Sequence, residues 1–166
     1  MASLARAGSR AAAGRAGALG SFAPRWVSSG ENLMGGGKVG GGGVLTEAMK
    51  ERLSQDIKSA KVVLYMKGVP AAPQCGFSNM VIRVFDYYRM DMGAGQFKAF
   101  DVLGEPDLKE AMKEFSQWPT FPQIYVDGDL VGGCDVLLQM HEENKLGDMF
   151  TEHGIKFDGP DAQAAK

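Results

Sequence analysis

Cys75 and Cys134 are the only two cysteines in the 166-residue sequence, and the chemistry open to the chain begins with them. Two thiols in a chain of this length exclude the disulfide framework of a small secreted domain. Cys75 opens the run Cys75-Gly76-Phe77-Ser78. In a Cys-x-x-Cys motif the second thiol resolves a mixed disulfide formed by the first. Here Ser78 stands at that position and cannot form an S–S bond. Cys75 can therefore attack a disulfide, but it cannot close a local ring with residue 78.

A thiol becomes a nucleophile when its surroundings favour the thiolate, and the exposed N–H groups of a helix start do so. Lys67-Gly68-Val69-Pro70-Ala71-Ala72-Pro73-Gln74 precedes Cys75 as a Gly- and Pro-punctuated loop, with two prolines that cannot continue a strand. After it, Val81, Val84, Phe85 and Tyr88 fall at i, i+3, i+4 and i+7, with Asn79, Arg83 and Asp86 opposite. Cys75 is thus expected at a helix N-terminus, with Lys67 able to add positive charge. The alternative for a lone cysteine is a small buried hydrophobe. The succession of strand, Lys-Gly-x-Pro loop, cysteine and helix favours the reactive reading.

Little else in the sequence offers chemistry. His141 and His153 have no metal-ligand spacing to a cysteine and lie on expected helix faces, so core or surface roles are expected of them. No paired carboxylates and no Ser–His–Asp arrangement stand out. Gly35, Gly37 and Gly40 formally match G-x-G-x-x-G, but no apolar strand precedes them and the surrounding glycine run reads as a linker.

The elements that must position Cys75 can be read from periodicity. Leu45, Met49, Leu53 and Ile57 recur at four-residue steps, as on an amphipathic helix. Val62-Val63-Leu64-Tyr65-Met66 is a short apolar run of strand formers. Phe97 to Val102 is a second candidate strand. Pro106 suits the first turn of a helix burying Leu108, Ala111, Met112 and Phe115, which ends before Trp118-Pro119. Phe121 to Val126 and Leu130-Val131 flank Asp127-Gly128, a hairpin signal. A helix opening at Gly132-Gly133-Cys134-Asp135 and a last one carrying Leu146, Met149, Phe150 and His153 complete the order. A βαβ unit followed by a ββα unit predicts an α/β fold, a central four-stranded mixed sheet flanked by helices.

Residues 1–44 carry Arg6, Arg10, Arg15, Arg25 and Lys38 against one acid, Glu31, for a charge of +4, and the remainder carries −6. A broad nucleic-acid surface is therefore not expected, and the apolar stretches are far too short for a membrane helix. The leading segment is Arg- and Ala-rich, bears serines and has no acid before Glu31, the composition of an organellar presequence. Residues 1–44 are expected to be a presequence plus Gly-rich linker, 45–155 the folded domain, and 156–166 a flexible tail. The expected destination is the mitochondrial matrix, with a plastid as the alternative.

Met66-Lys67-Gly68, Cys75-Gly76-Phe77-Ser78, Trp118-Pro119-Thr120-Phe121-Pro122-Gln123 and Gly132-Gly133-Cys134-Asp135 together resemble the CGFS-type monothiol glutaredoxins over roughly residues 45–155. The resemblance implies a thioredoxin fold, glutathione binding and a [2Fe–2S] cluster held by Cys75. Lys67 would meet a glutathione carboxylate. Thr120 and Phe121 would present backbone to the glutathione cysteine, with Pro122 as a cis proline beside the thiol. Cys134, through its backbone, and Asp135 would hold the γ-glutamyl end. Lys109 and Lys113 match positions that contact the glycine carboxylate, although Lys109 commonly matches an Arg, whose bidentate fork Lys lacks. Ordinary alternatives stand beside these roles: a helix cap for Asp135, and one solvated i,i+4 face for the two lysines.

Ligand arithmetic supports the cluster. A [2Fe–2S] unit takes four thiolate or equivalent ligands, and one chain offers Cys75, with Cys134 the minority candidate for a second. Two chains and two glutathione thiols meet the count, as the resemblance implies. The expected function is glutathione-dependent carriage of the cluster as a bridged homodimer and its transfer to apo iron–sulfur acceptors, with BolA-type proteins as further partners. The alternative is glutathione-dependent thiol–disulfide exchange, deglutathionylation included. Arg89 to Gln96 is longer than the connection usual in the family and is expected to form a surface loop.

Overall fold

In a computed structural model of the chain, residues 43–93 and 95–159 are described. The presequence and nearly all of the Gly-rich linker expected over 1–44, and residues 160–166 of the tail, lie outside them. Eleven elements follow one another among the described residues: α1 (Glu47–Asp56), β1 (Val62–Met66), β2 (Gly68–Val69), β3 (Ala72–Pro73), α2 (Gly76–Tyr87), β4 (Phe97–Asp101), α3 (Pro106–Ser116), β5 (Gln123–Val126), β6 (Asp129–Gly132), α4 (Cys134–Glu142) and α5 (Leu146–Glu152).

The main sheet has the order β4-β1-β5-β6. β1 runs parallel to β4, pairing Val62 with Phe97 and Met66 with Asp101, and antiparallel to β5, pairing Tyr65 with Gln123. β6 completes the sheet antiparallel to β5. This is the expected four-stranded mixed sheet. All five residues of β1 are buried, because helices cover both faces and a strand in that position can be apolar throughout. Its alternation divides the core. Val62, Leu64 and Met66 pack with residues of α2, α4 and α5, while Val63 and Tyr65 pack with Leu53 of α1 and with Leu108, Ala111 and Met112 of α3.

Local chemistry sets the boundaries. Thr46 caps α1, its hydroxyl accepting the Met49 N–H at 3.2 Å. Pro106 sits in the first turn of α3, which ends where Gln117 turns left-handed at φ 53°. Asp127 and Gly128, at φ 51° and 92°, form the two-residue turn of the β5–β6 hairpin, whose primed geometry needs two positive φ values.

Three expectations are corrected. The loop after β1 contains a minimal antiparallel ladder, Gly68 opposite Pro73 and Val69 opposite Ala72, despite its prolines. The segment after Gly154, expected to be loose from residue 156, is packed as far as Gly159: Ile155 is buried, Phe157 bridges Met90 and Asp158 N–H donates to Tyr88 O at 3.2 Å. The long connection after Tyr88 is not simply a surface loop either. Met90 and Gln96 are buried, Gln96 Nε2 donates to Lys156 O and Lys156 N–H returns a bond to Gln96 Oε1, at 2.8 and 2.7 Å. The two irregular segments satisfy each other's backbone groups, which is why neither is free.

Candidate functional site

Cys75 is the N-cap of α2, in extended backbone at φ −148° and ψ 139°, and the residue is half-buried. Gly68 makes the approach possible. It has φ +85°, and a Cβ there would lie 2.5 Å from Ala72 O, so the turn that returns the chain to Cys75 requires glycine. Asp101, at the end of the neighbouring β4, fixes the same turn, its Oδ1 accepting the Gly68 N–H at 2.9 Å.

The surroundings of Cys75 lower its pKa below that of an ordinary thiol. The largest cause is the Ser78 backbone N–H. The Phe77 N–H, the Lys67 charge and the Ser78 hydroxyl add to it, against a partial desolvation that raises it. This is the anion-favouring start of a helix expected for this thiol. Ser78 is fully buried, and its Oγ also accepts the Lys67 N–H at 3.2 Å. Cys134 is the opposite kind of thiol. It is buried, and burial, Asp135 and Cys75 all raise its pKa.

Beside Cys75 lies a cleft of about 390 Å³. Lys67, Lys109, Lys113, Thr120, Phe121, Pro122, Cys134 and Asp135 all line it, so residues spread over sixty-nine positions of sequence meet at one place. Cys75 is not itself in the lining; it adjoins the cleft, close enough to Lys67 and Cys134 for the charges to interact. The Phe121–Pro122 bond is cis, as expected. Gly133, not Asp135, is the N-cap of α4, so the exposed Asp135 carboxylate in the first turn is open to a ligand amine. Lys113 Nζ is 3.1 Å from Glu110 Oε1, which divides its charge between that partner and the cleft.

Phe77, Trp118, Pro119, Gly133 and Val136 also line the cleft, residues to which the family resemblance assigns no role. Phe77 is 60% exposed, an apolar ring at the rim beside the thiol. Its place in the Cys-Gly-Phe-Ser run was the available signal. The histidines lie elsewhere: His141 Nδ1 is 3.0 Å from Tyr88 Oη, and His153 Nδ1 is 2.7 Å from Asp127 Oδ2. Among the described residues no group of three or more His, Cys, Asp or Glu side chains is placed to hold a metal ion, and no helix is long and apolar enough to cross a membrane.

Comparison with known proteins agrees with this geometry. The glutaredoxin family profile matches residues 62–131. The chain is 42% identical over 108 residues to the mitochondrial monothiol glutaredoxin-5 of Saccharomyces cerevisiae, covering 65% of this chain and 71% of the yeast protein. It is 46% identical over 109 residues to rice monothiol glutaredoxin-S11, covering 66% of this chain but only 21% of that longer relative. The structure of a truncated monomeric mutant of Trypanosoma brucei 1-C-Grx1 superposes with a TM-score of 0.57 at 35% identity, covering 65% of this chain and 94% of the other. The mitochondrial destination expected of the leading segment agrees with the yeast relative. With Ser78 standing in the place of a second thiol, the chain belongs to the glutaredoxin family, among its monothiol members.

Proposed function

We propose that this mitochondrial monothiol glutaredoxin binds glutathione in the cleft beside Cys75 and carries a [2Fe–2S] cluster as cargo between proteins. The observation that carries the reading is a thiolate-favouring Cys75 with no second thiol at position 78 and, among the described residues, no set of side chains able to enclose a metal. A lone thiolate at a surface is an incomplete ligand shell. Two copies with two glutathione thiols complete it, and a shell assembled from separate molecules can be exchanged for the cysteines of an acceptor. Apo iron–sulfur proteins are the acceptors of this reading, and BolA-type proteins its further partners.

The cleft chemistry suits glutathione. Lys67, Lys109 and Lys113 offer ammonium groups to its carboxylates, Asp135 a carboxylate to its amine, and the Thr120–Pro122 backbone a place for its cysteinyl unit. The test is reconstitution with iron, sulfide and glutathione under anaerobic conditions, followed by visible absorption. The parent protein should colour and elute as a dimer, and Cys75→Ser should do neither. A cluster that persists in Cys75→Ser, or forms without glutathione, overturns the proposal.

The lowered pKa of Cys75 also favours a second activity. Its thiolate can attack the glutathione sulfur of a protein mixed disulfide and expel the protein thiolate. A second glutathione thiolate then attacks the Cys75–glutathione bond, releasing oxidised glutathione and restoring Cys75. One free glutathione is consumed per cycle: the mixed disulfide is exchanged for the disulfide of oxidised glutathione, and the protein sulfur leaves as a thiol. Deglutathionylation turnover measured beside a dithiol glutaredoxin separates the readings: comparable rates promote catalysis, and rates far below it leave carriage as the function.

A further inference from the structure

The segment joining α3 to β5 forms one wall of the cleft, and its shape is set from behind by a buried amide. Gln123, the first residue of β5, is fully buried. Its Nε2 donates to Trp118 O at 3.0 Å and to Thr120 O at 3.2 Å, and its Oε1 accepts from Tyr125 Oη at 3.2 Å. Ser116 braces the same turn, its Oγ accepting the Trp118 N–H at 3.1 Å. A primary amide supplies what this site requires, two N–H donors for two carbonyls and one acceptor for a hydroxyl.

The arrangement has a directional consequence. The peptide joining Thr120 to Phe121 is trans, the cis bond being the next one. In a planar trans unit the C=O and N–H point in opposite directions. Holding Thr120 O against Gln123 therefore turns the Phe121 N–H away from the buried amide, on the segment where Thr120, Phe121 and Pro122 line the cleft. A turn free to rotate this peptide would bring the carbonyl outward instead, and an acceptor cannot meet a ligand carbonyl.

We propose that Gln123 is a positioning residue for ligand recognition, holding the Phe121 amide so that it can pair with the cysteinyl backbone of glutathione without touching the ligand. The inference rests on glutathione occupying this cleft. Gln123→Met keeps the side-chain length and removes both donors and the acceptor. It should weaken glutathione binding measured by calorimetry about tenfold, leave the alkylation rate of Cys75 within about twofold of the parent because α2 holds that thiol independently, and shift the Phe121 amide resonance of the ligand-free protein. Tyr125→Phe, a gentler change that preserves the core, should weaken binding about two- to threefold and move the same resonance in the same direction; it decides the matter if Gln123→Met does not fold. Parental affinity and an unmoved Phe121 resonance in the folded variants overturn the proposal. Asp135→Asn and Lys67→Ala test the underlying reading separately. If they weaken binding while the Gln123 and Tyr125 variants do not, only the role of Gln123 fails; if they too bind as the parent does, the cleft is not the glutathione site and both fail.

Discussion

Ser78 Oγ accepts the backbone N–H of Lys67 at 3.2 Å, tying the end of β1 to the first turn of α2 across the loop that delivers Cys75. The residue that replaces a resolving thiol is thus part of the frame that holds the working one. Its backbone N–H is the largest cause of the lowered Cys75 pKa, and its hydroxyl a smaller one.

The sign of the pH dependence follows. A thiol whose pKa is depressed in the folded state is more ionised near neutrality than a free cysteine, so its alkylation rate should rise with pH through an inflection below that of a free thiol. Ser78→Ala and Lys67→Ala should each move that inflection upward. Neither should abolish the depression, because the Ser78 and Phe77 N–H groups remain. The same depression links ionisation to folding: its contribution to stability is present above the unfolded-state pKa and is lost as pH falls through the folded-state value. Stopped-flow alkylation across the pH range, with denaturation at matched pH, checks both statements.

The two thiols should be chemically distinct. Burial, Asp135 and Cys75 raise the pKa of Cys134, so brief treatment with iodoacetamide at neutral pH should label Cys75 many times faster than Cys134. Peptide mass spectrometry reads the ratio. Equal labelling of the native protein would contradict the burial of Cys134.

Asp135→Asn should weaken glutathione binding about tenfold or more, the scale of a charge-assisted hydrogen bond lost. Lys113→Ala should cost less, because Glu110 at 3.1 Å already shares the lysine charge. Calorimetric titration of both variants gives the order, and a Lys113 effect exceeding that of Asp135 would reverse this assignment of roles.

Much of this was legible in the sequence because it depends on local rules. The apolar run Val62–Met66 marks a strand covered on both faces, Asp127-Gly128 marks a primed turn, and Gly and Pro before an amphipathic stretch put Cys75 at a helix start. What escaped depends on pairing between distant segments. Lys156 and Gln96 are both polar, and nothing local reveals that the backbone of one is satisfied by the side chain of the other. Ile155 and Phe157 are apolar residues in a polar setting, too few to show periodicity. The β2–β3 ladder is made by backbone alone, and Pro73 is compatible with such an edge. Gln123 reads in the sequence as one more letter of a motif, since burial of a polar side chain becomes visible only when its partners are assembled.

The docked segment from Ile155 to Asp158 can be tested as a stability element. Phe157 lies 5.4 Å from the Phe150 ring and 6.1 Å from the Tyr88 ring, centroid to centroid. It is half-buried, so Phe157→Ala should cost about 2 kcal/mol, less than a fully buried phenylalanine. Chemical denaturation measures this. Cys75 alkylation should be unchanged, because the segment packs on the far end of α2 from the thiol.

Gly68 gives a sharper test of how the backbone serves the site. At φ +85° the residue is in the left-handed region that disfavours a side chain, and a Cβ would meet Ala72 O at 2.5 Å and Gln74 N at 2.8 Å. Both neighbours are backbone, so neither can yield by changing a rotamer. Gly68→Ala should therefore cost about 1–3 kcal/mol and displace the turn that Asp101 holds through the Gly68 N–H. Because that turn leads directly into Cys75, glutathione affinity should fall in the folded variant as well, unlike in Phe157→Ala. Loss of stability with unchanged affinity would mean that Lys67 and Cys75 are positioned by β1 and α2 alone, independently of the loop between them.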